Sequence, residues 1–140
     1  MRKIACAACI LCVLPVLSLY SVSGITFDEF YNYGILGMSF TDKLQSLEGE
    51  TVQITGFMAP PLKAKGNLFV LTKNPVSLCP YCNSDADWPS DIVVIYLEHP
   101  ETFRQLNRNI TVTGRLEMGS YTDSMTGFVS QLRLVDATYK

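Results

Sequence analysis

The sequence TVQITGFM at Thr51–Met58 decides the fold, because polar and apolar side chains alternate along it. Such alternation is typical of a strand with one buried face. A similar sequence, ITVTG, returns at residues 110–114, and both stretches place a glycine directly after a threonine. Glycine inside a strand often marks a bulge or a sharp bend at a barrel corner. We therefore expect two bent strands, with their bends at Gly56 and Gly114.

Three further strands are expected around these two. Residues 68–72 and 91–98 are apolar runs bounded by turn residues, and residues 128–139 form the last strand or hairpin arm. Residues 99–106 resemble the start of a short helix, with a proline near its first position. This order predicts a mainly β domain. We expect a small five-stranded OB-fold-like barrel with one short helix between strands 3 and 4, and a small β-sandwich is the alternative.

Residues 1–24 have the order of features of a secretory signal peptide. Arg2 and Lys3 precede an uncharged, mostly apolar run at residues 4–19, and small residues follow at 22–24. The run is shorter than the roughly 20 residues of a transmembrane helix. We expect cleavage and a mature chain that is periplasmic or otherwise extracytoplasmic. An uncleaved anchor is the alternative, and only in that case is a membrane partner expected.

The next segment, residues 25–47, is expected to be helical or mixed, with Asp28 and Thr41 as helix caps. It is rich in aromatic side chains, with five of them between residues 27 and 40. We expect this N-terminal helical segment to pack on one end of the β domain, which covers residues 48–140. An aromatic ligand-binding patch is the second interpretation.

The charge balance argues against one class of partner. Loss of Arg2 and Lys3 would leave 9 cationic side chains against 13 Asp and Glu, a net charge of about −4. An acidic domain lacks the basic surface that attracts a phosphate backbone. We therefore expect no nucleic-acid partner.

The sequence CPYC is the sharpest chemical signal, because Cys79 and Cys82 are the only cysteines after residue 24. In an oxidising compartment we expect a disulfide between them. A zinc site is the second interpretation, since C-x-x-C supplies two of four ligands. The other two ligands would come from Asp85, Asp87, His99 or a partner chain. Thiol–disulfide catalysis is the third interpretation of these two cysteines. Acidic neighbours disfavour a thiolate, however, and no βαβ pattern surrounds the motif. Enzymatic activity is therefore not the favoured expectation.

A ligand-binding face is the remaining candidate site. OB-folds bind ligands over strands 2 and 3 and the loops beside them. Tyr81, Trp88 and Tyr121 lie in loops that would border this face. For Trp88 the alternative is packing beneath its own loop.

A family resemblance extends over residues 47–97. The residues that carry it are Gly56-Phe57 with the prolines that follow, Phe69-Val70-Leu71, Cys79-Pro80-Tyr81-Cys82, Asp85-Ala86 and Pro89. In these the chain resembles exported single-OB-domain proteins of unknown function that are found in many bacteria. The resemblance implies an OB-like fold and a binding or accessory role at the cell envelope, linked to metal handling or to a membrane transporter as partner. Two alternatives stay open: a thiol redox protein and a structural docking subunit of an envelope complex.

Overall fold

The computed structural model describes residues 21–77 and 88–140, and the secondary structure of these residues is mainly β. Two short helical elements lie in the N-terminal part, a 3-10 helix at Phe27–Glu29 and α1 at Asp42–Ser46. The strands are β1 (Ser23–Gly24), β2 (Tyr31–Gly34), β3 (Gly37–Phe40), β4 (Thr51–Met58), β5 (Lys65–Thr72), β6 (Ile92–Thr102), β7 (Ile110–Thr122) and β8 (Val129–Tyr139). No helix within these residues is long and apolar enough to cross a lipid bilayer.

Six strands form one sheet in the order β1-β4-β5-β6-β8-β7, and β4 also pairs with β7. Neighbouring strands are antiparallel except for the β1–β4 and β6–β8 pairs, which are parallel. The first part of β4 lies opposite β7, from Thr51 to Gly56, whereas Phe57 and Met58 lie opposite β5. Gly56 is therefore the last residue of β4 that pairs with β7 before the strand changes partner.

The apolar core is built from the inward side chains of this sheet and from the N-terminal segment that packs on it. Alternation along β4 buries every second residue from Val52 to Met58, as the sequence pattern predicts. Phe69 of β5 is fully buried and packs against the rings of Phe103 and Tyr139, with centroids 5.6 and 5.5 Å away. These contacts tie the end of β6 and the end of β8 to the middle of the sheet.

The prediction of a helix between strands 3 and 4 is wrong. The third strand instead continues as β6 to Thr102, and residues 103–109 contain no helix. Lys65 and Gly66 of β5 pair with this extension beyond a bulge. Pro100 lacks a backbone N–H, but it lies in the bulged stretch, where a ladder hydrogen bond is not required. A proline that fits the first turn of a helix therefore fits this strand equally well.

The N-terminal segment also departs from the expectation of a helical unit. Its centre is a separate two-stranded hairpin of β2 and β3, in which Tyr31 lies opposite Phe40. Gly37 directly follows the two-residue turn of this hairpin. Its φ is 107°, a value that glycine adopts without strain. Only α1 is helical over more than one turn. Its expected cap is confirmed, because the Thr41 hydroxyl accepts a hydrogen bond from the Leu44 N–H at 3.1 Å.

Glu29 joins the two helical elements and gives the N-terminal segment a pH dependence. Its carboxylate accepts hydrogen bonds from the Lys43 ammonium and from the N–H and hydroxyl of Thr26. These partners, the ammonium first, lower the pKa of Glu29 from 4.5 to about 2. A carboxyl with a depressed pKa stabilises the folded state above its unfolded pKa, and this contribution is lost as the pH falls through the folded pKa.

We therefore expect the N-terminal segment to loosen between pH 4.5 and about 2. NMR titration of the Glu29 carboxyl should give a midpoint near the lower value, and Glu29→Gln should remove this part of the acid response. A midpoint near 4.5 would show that the three hydrogen bonds do not hold the carboxylate in solution.

Candidate functional site

Two adjoining cavities form a groove over β5 and β6, and they share Asn67, so we call it the Asn67 groove. The first, of about 170 Å³, lies between the loop before β5 and the turn between β7 and β8. The second, of about 360 Å³, lies over β6 and the outer sides of β7 and β8. The first is lined by Leu62, Lys63, Lys65, Gly66, Asn67, Leu68, Asp123, Met125 and Thr126. The second is lined by Asn67, Tyr96, Leu97, Glu98, Glu117, Tyr121, Arg133, Val135 and Asp136.

One wall of the groove is a tightly hydrogen-bonded turn. The Asp123 carboxylate accepts hydrogen bonds from the N–H groups of Met125 and Thr126 and from the Thr126 hydroxyl, at 2.7 to 3.1 Å. Asp commonly organises a turn in this way. Gly127 closes the turn with a φ of 72°. The Met125 side chain is thereby held at the tip, where it is exposed.

The opposite end of the groove has an aromatic floor. The rings of Tyr96 and Tyr121 meet edge to face with centroids 6.0 Å apart. The Arg133 guanidinium lies 4.7 Å from the centre of the Tyr121 ring. Arg133 is itself fixed by Glu117, 3.0 Å from its Nε, and by the Gly119 carbonyl, 2.8 Å from its Nη1. Tyr121 is therefore held in one orientation although 44% of its surface is exposed.

The Tyr96 hydroxyl is buried and faces the Asp123 carboxylate, which acts on it as a hydrogen-bond acceptor although their geometry falls outside the normal range. Burial, and then the nearby Asp123 and Tyr121, raise the pKa of the Tyr96 phenol well above its usual range. The phenol therefore keeps its proton and is a donor at neutral pH. Tyr96 lines the second cavity and Asp123 the first, so their contact joins the two parts of the groove.

The two ends of the groove differ in charge. Lys63 and Lys65 line the first cavity. The second cavity has three carboxylates, those of Glu98, Glu117 and Asp136, beside Arg133. Arg115 bridges two of them, at 2.6 Å from Glu117 and 3.1 Å from Asp136. This arrangement accommodates a polar ligand with charges of both signs or none, and it disfavours a polyanion along the whole groove.

The predicted site residues are distributed over different parts of the molecule. Tyr121 lies in the groove. Trp88 is buried to 7% exposure and its indole N–H donates to the Tyr31 hydroxyl at 2.7 Å, so it packs at the base of the β2–β3 hairpin. His99 lies at the surface beside Glu98, with 3.9 Å between Nε2 and Oε1, and lines a third cavity at the end of β6 that shares Leu97 and Glu98 with the second.

The zinc and disulfide predictions concern residues outside the described ranges. Cys79, Cys82, Tyr81, Asp85 and Asp87 all lie between residues 78 and 87. Within residues 21–77 and 88–140, no group of three His, Cys, Asp or Glu side chains is arranged to hold a metal ion.

Several groove residues were not predicted from the sequence. Tyr96 is the one aromatic residue in an otherwise aliphatic strand core, and Arg133 is the one cation in the last strand, where it lies between two leucines. A polar group at a nearly buried position is a signal that sequence reasoning can use. Asn67 gives no such signal, because its role depends on its place between the two cavities.

Comparison with known proteins gives one structural likeness. No protein-family model matches the sequence, and no curated protein is significantly similar to it. Among solved structures, the crystal structure of a DUF3299 family protein from Pseudomonas aeruginosa PAO1 is similar, with a TM-score of 0.55 and 12% sequence identity. The match covers 86% of this chain and 97% of the Pseudomonas chain. At this identity the likeness concerns the fold alone.

Proposed function

We propose that the chain is an exported binding or accessory protein of the cell envelope, in which an OB-fold-like barrel presents the Asn67 groove to a ligand. The succession of pairings supports the barrel, since it runs β4-β5-β6-β8-β7 and returns to β4. A five-stranded, partly open Greek-key barrel has such a closed succession. The groove lies over β5 and β6, the second and third strands of this proposed barrel, and the loops beside them.

The observation that carries the proposal is the exposed Tyr121 ring, which Arg133 and Tyr96 hold in one orientation in the groove. A ligand would place a flat face on this ring. The charges of both signs along the groove favour a neutral or zwitterionic ligand. The acidic net charge disfavours a nucleic acid.

The export of the chain, its transporter partner and a bound zinc ion are further parts of the proposal, and each has its own support. Export rests on the signal-like residues 1–24, and the link to a transporter rests on the family resemblance. A disulfide or zinc at Cys79 and Cys82 rests on their spacing alone. The thiol redox alternative rests on the same two residues, and the reduced protein should then react with iodoacetamide with a thiol pKa below about 7.

We expect Tyr121→Ala to weaken ligand binding about 10-fold, the factor that corresponds to ~1.4 kcal/mol. Substitution removes the exposed ring and leaves the buried core intact. Chemical-shift mapping by NMR measures this, with three probes added to the protein in turn: a neutral disaccharide of N-acetylglucosamine, free zwitterionic amino acids, and Zn²⁺. Shifts from either organic probe should gather at Asn67, Tyr96 and Tyr121.

Tyr33→Ala is the matched control, because Tyr33 is also exposed but belongs to the hairpin. It should bind the same probe with unchanged affinity. Equal binding by Tyr121→Ala and the control would contradict the groove proposal, as would the absence of groove shifts with both organic probes. Shifts from Zn²⁺ confined to residues 79–82 would favour the metal interpretation instead.

A further inference from the structure

The tip of the β2–β3 hairpin carries the most exposed apolar side chains of the described residues. Ile35 and Leu36 form the turn and are 106% and 103% exposed relative to an extended reference. The second cross-strand pair from the turn, Tyr33 and Met38, is also exposed. We call these four residues the apolar tip. Residues 30–41 contain no charged side chain.

This tip violates the usual chemistry of a turn. Two-residue hairpin turns are normally occupied by Gly, Asn, Asp or other polar residues, because the turn lies in water. Here Gly34 and Gly37 flank the turn, and two large aliphatic residues stand at its end. Residues that break a local rule without a gain in stability are expected at functional sites. Among the residues that the structure describes nothing covers the tip, so an apolar environment beyond them is the natural partner.

The base of the hairpin is fixed to the core, so the tip is a rigid projection. Tyr31 and Phe40 stack with centroids 5.2 Å apart at the first pair of the hairpin. The Tyr31 hydroxyl accepts from Trp88, and Phe30 is fully buried beside it. The three residue steps from Tyr31 to Gly34, at about 3.3 Å each, place the turn roughly 10 Å beyond this base.

We propose that the apolar tip inserts into the interfacial region of a lipid bilayer. The area argues for lipid and against a protein partner. An aliphatic side chain buries on the order of 100 Å² of apolar surface, so the four side chains together offer less than roughly 500 Å². A stable protein interface needs about 800 Å² per partner. A bilayer needs no complementary surface, and it accepts a narrow projection to a depth of about 5–10 Å.

The paired charges beside the hairpin and its unpaired backbone edges determine how strongly and how deeply the tip inserts. The cations nearest the base are paired, Lys73 with Asp28 and Lys43 with Glu29. Attraction to anionic lipid is therefore a minor part of the binding. Insertion is also shallow, because the outer edges of a two-stranded ribbon have backbone groups that the hydrocarbon core cannot satisfy. The tip acts as a weak, reversible anchor, comparable to a single myristoyl chain with an association constant of about 10⁴ M⁻¹.

The test uses protein exported from its host, with its N-terminus read by intact mass, and vesicles of neutral phosphatidylcholine. Leu36→Trp reports on the tip, since the chain has one other tryptophan, the buried Trp88. We expect the emission of the introduced tryptophan to shift to the blue on lipid addition and to be quenched by brominated phosphatidylcholine. This readout is specific for the tip, so a retained N-terminal segment does not imitate it.

In co-sedimentation with the same vesicles, the double variant Ile35→Asp/Leu36→Asp should bind at least 10-fold more weakly than the unmodified protein. If residues 1–24 are retained, they could bind vesicles themselves, so quenching replaces co-sedimentation. The quenching of the introduced tryptophan is then compared between the Leu36→Trp protein and the Ile35→Asp/Leu36→Trp protein. Asn107→Asp/Asn109→Asp is the matched control, because it adds the same two negative charges at exposed positions of another bend, outside the groove. It should bind vesicles as the unmodified protein does. All variants should keep the unmodified melting temperature, since the substituted side chains lie outside the core.

Three results would overturn the proposal. One is the absence of quenching in the Leu36→Trp protein at about 1 mM lipid, ten times the expected midpoint concentration. Another is unchanged binding by the aspartate variants. The third is a concentration-dependent dimer in sedimentation that Ile35→Asp/Leu36→Asp abolishes while vesicles bind neither protein, because the tip would then dock on a second copy of the chain.

Discussion

Gly56→Ala is expected to destabilise the protein by about 3 kcal/mol or more, the upper end of the cost of overpacking a core. The added Cβ would stand 2.6 Å from the Thr72 carbonyl oxygen, 3.0 Å from Phe27 Cε2 and 3.1 Å from Leu71 Cγ. The first neighbour is backbone in a paired strand, so it cannot move away as a flexible side chain does. Relief would require β4 and β5 to separate at Phe57, the point where their pairing begins.

Urea unfolding of the two proteins measures this cost. Gly66→Ala is the matched control, because its Cβ would meet only Phe103 Cε2, at 4.0 Å, among the described residues. That substitution should change the free energy of unfolding by no more than about 0.5 kcal/mol. Similar stability of the two variants would mean that β4 and β5 do not approach each other so closely in solution.

Trp88→Ala is the second large effect, and we expect a loss of about 3–5 kcal/mol. The indole is buried at the base of the β2–β3 hairpin and donates to Tyr31. Trp88→Phe tests the hydrogen bond separately. It keeps most of the apolar volume but leaves the buried Tyr31 hydroxyl without this donor, at a cost of about 1–3 kcal/mol.

A double-mutant cycle of Trp88→Phe with Tyr31→Phe isolates the pair. The double variant should be more stable than the sum of the single losses predicts, because it removes both polar partners. Tyr33→Phe is the control for loss of a hydroxyl at an exposed position, with an expected change below about 0.5 kcal/mol. Additive losses in the cycle would show that the two side chains do not interact.

The sequence predicts those parts of the fold that depend on local pattern. Thr51–Met58 is confirmed as a strand with its alternate residues buried, and the Thr41 cap is confirmed. Residues 99–106 fail as a helix because Pro100 suits both a first helical turn and a bulged strand, and only the pairing with Lys65 and Gly66 decides between them. The hairpin is missed because its turn carries Ile35 and Leu36, which do not signal a turn.

The groove is less accessible to sequence reasoning, for a physical reason. Asn67, Tyr96, Tyr121 and Arg133 come from four strands, and they meet only through the register of the sheet. A shift of one residue in any strand would turn its side chain to the other face. Tyr121 could be named from its place near a loop, but its neighbours could not be named without knowing which strands adjoin.

The pairing of β4 with β7 has a consequence for how the chain folds. It joins residues far apart in sequence, such as Gln53 and Thr113, which lie 60 positions from each other. Such pairing gives a high contact order, since the chain must lose the entropy of a long loop before the contact forms. We expect folding in milliseconds to seconds. During synthesis residues 51–56 of β4 wait for β7, a partner strand that emerges near the end of the chain, and in an exported chain this delay would preserve the unfolded state that threading through a translocation pore requires.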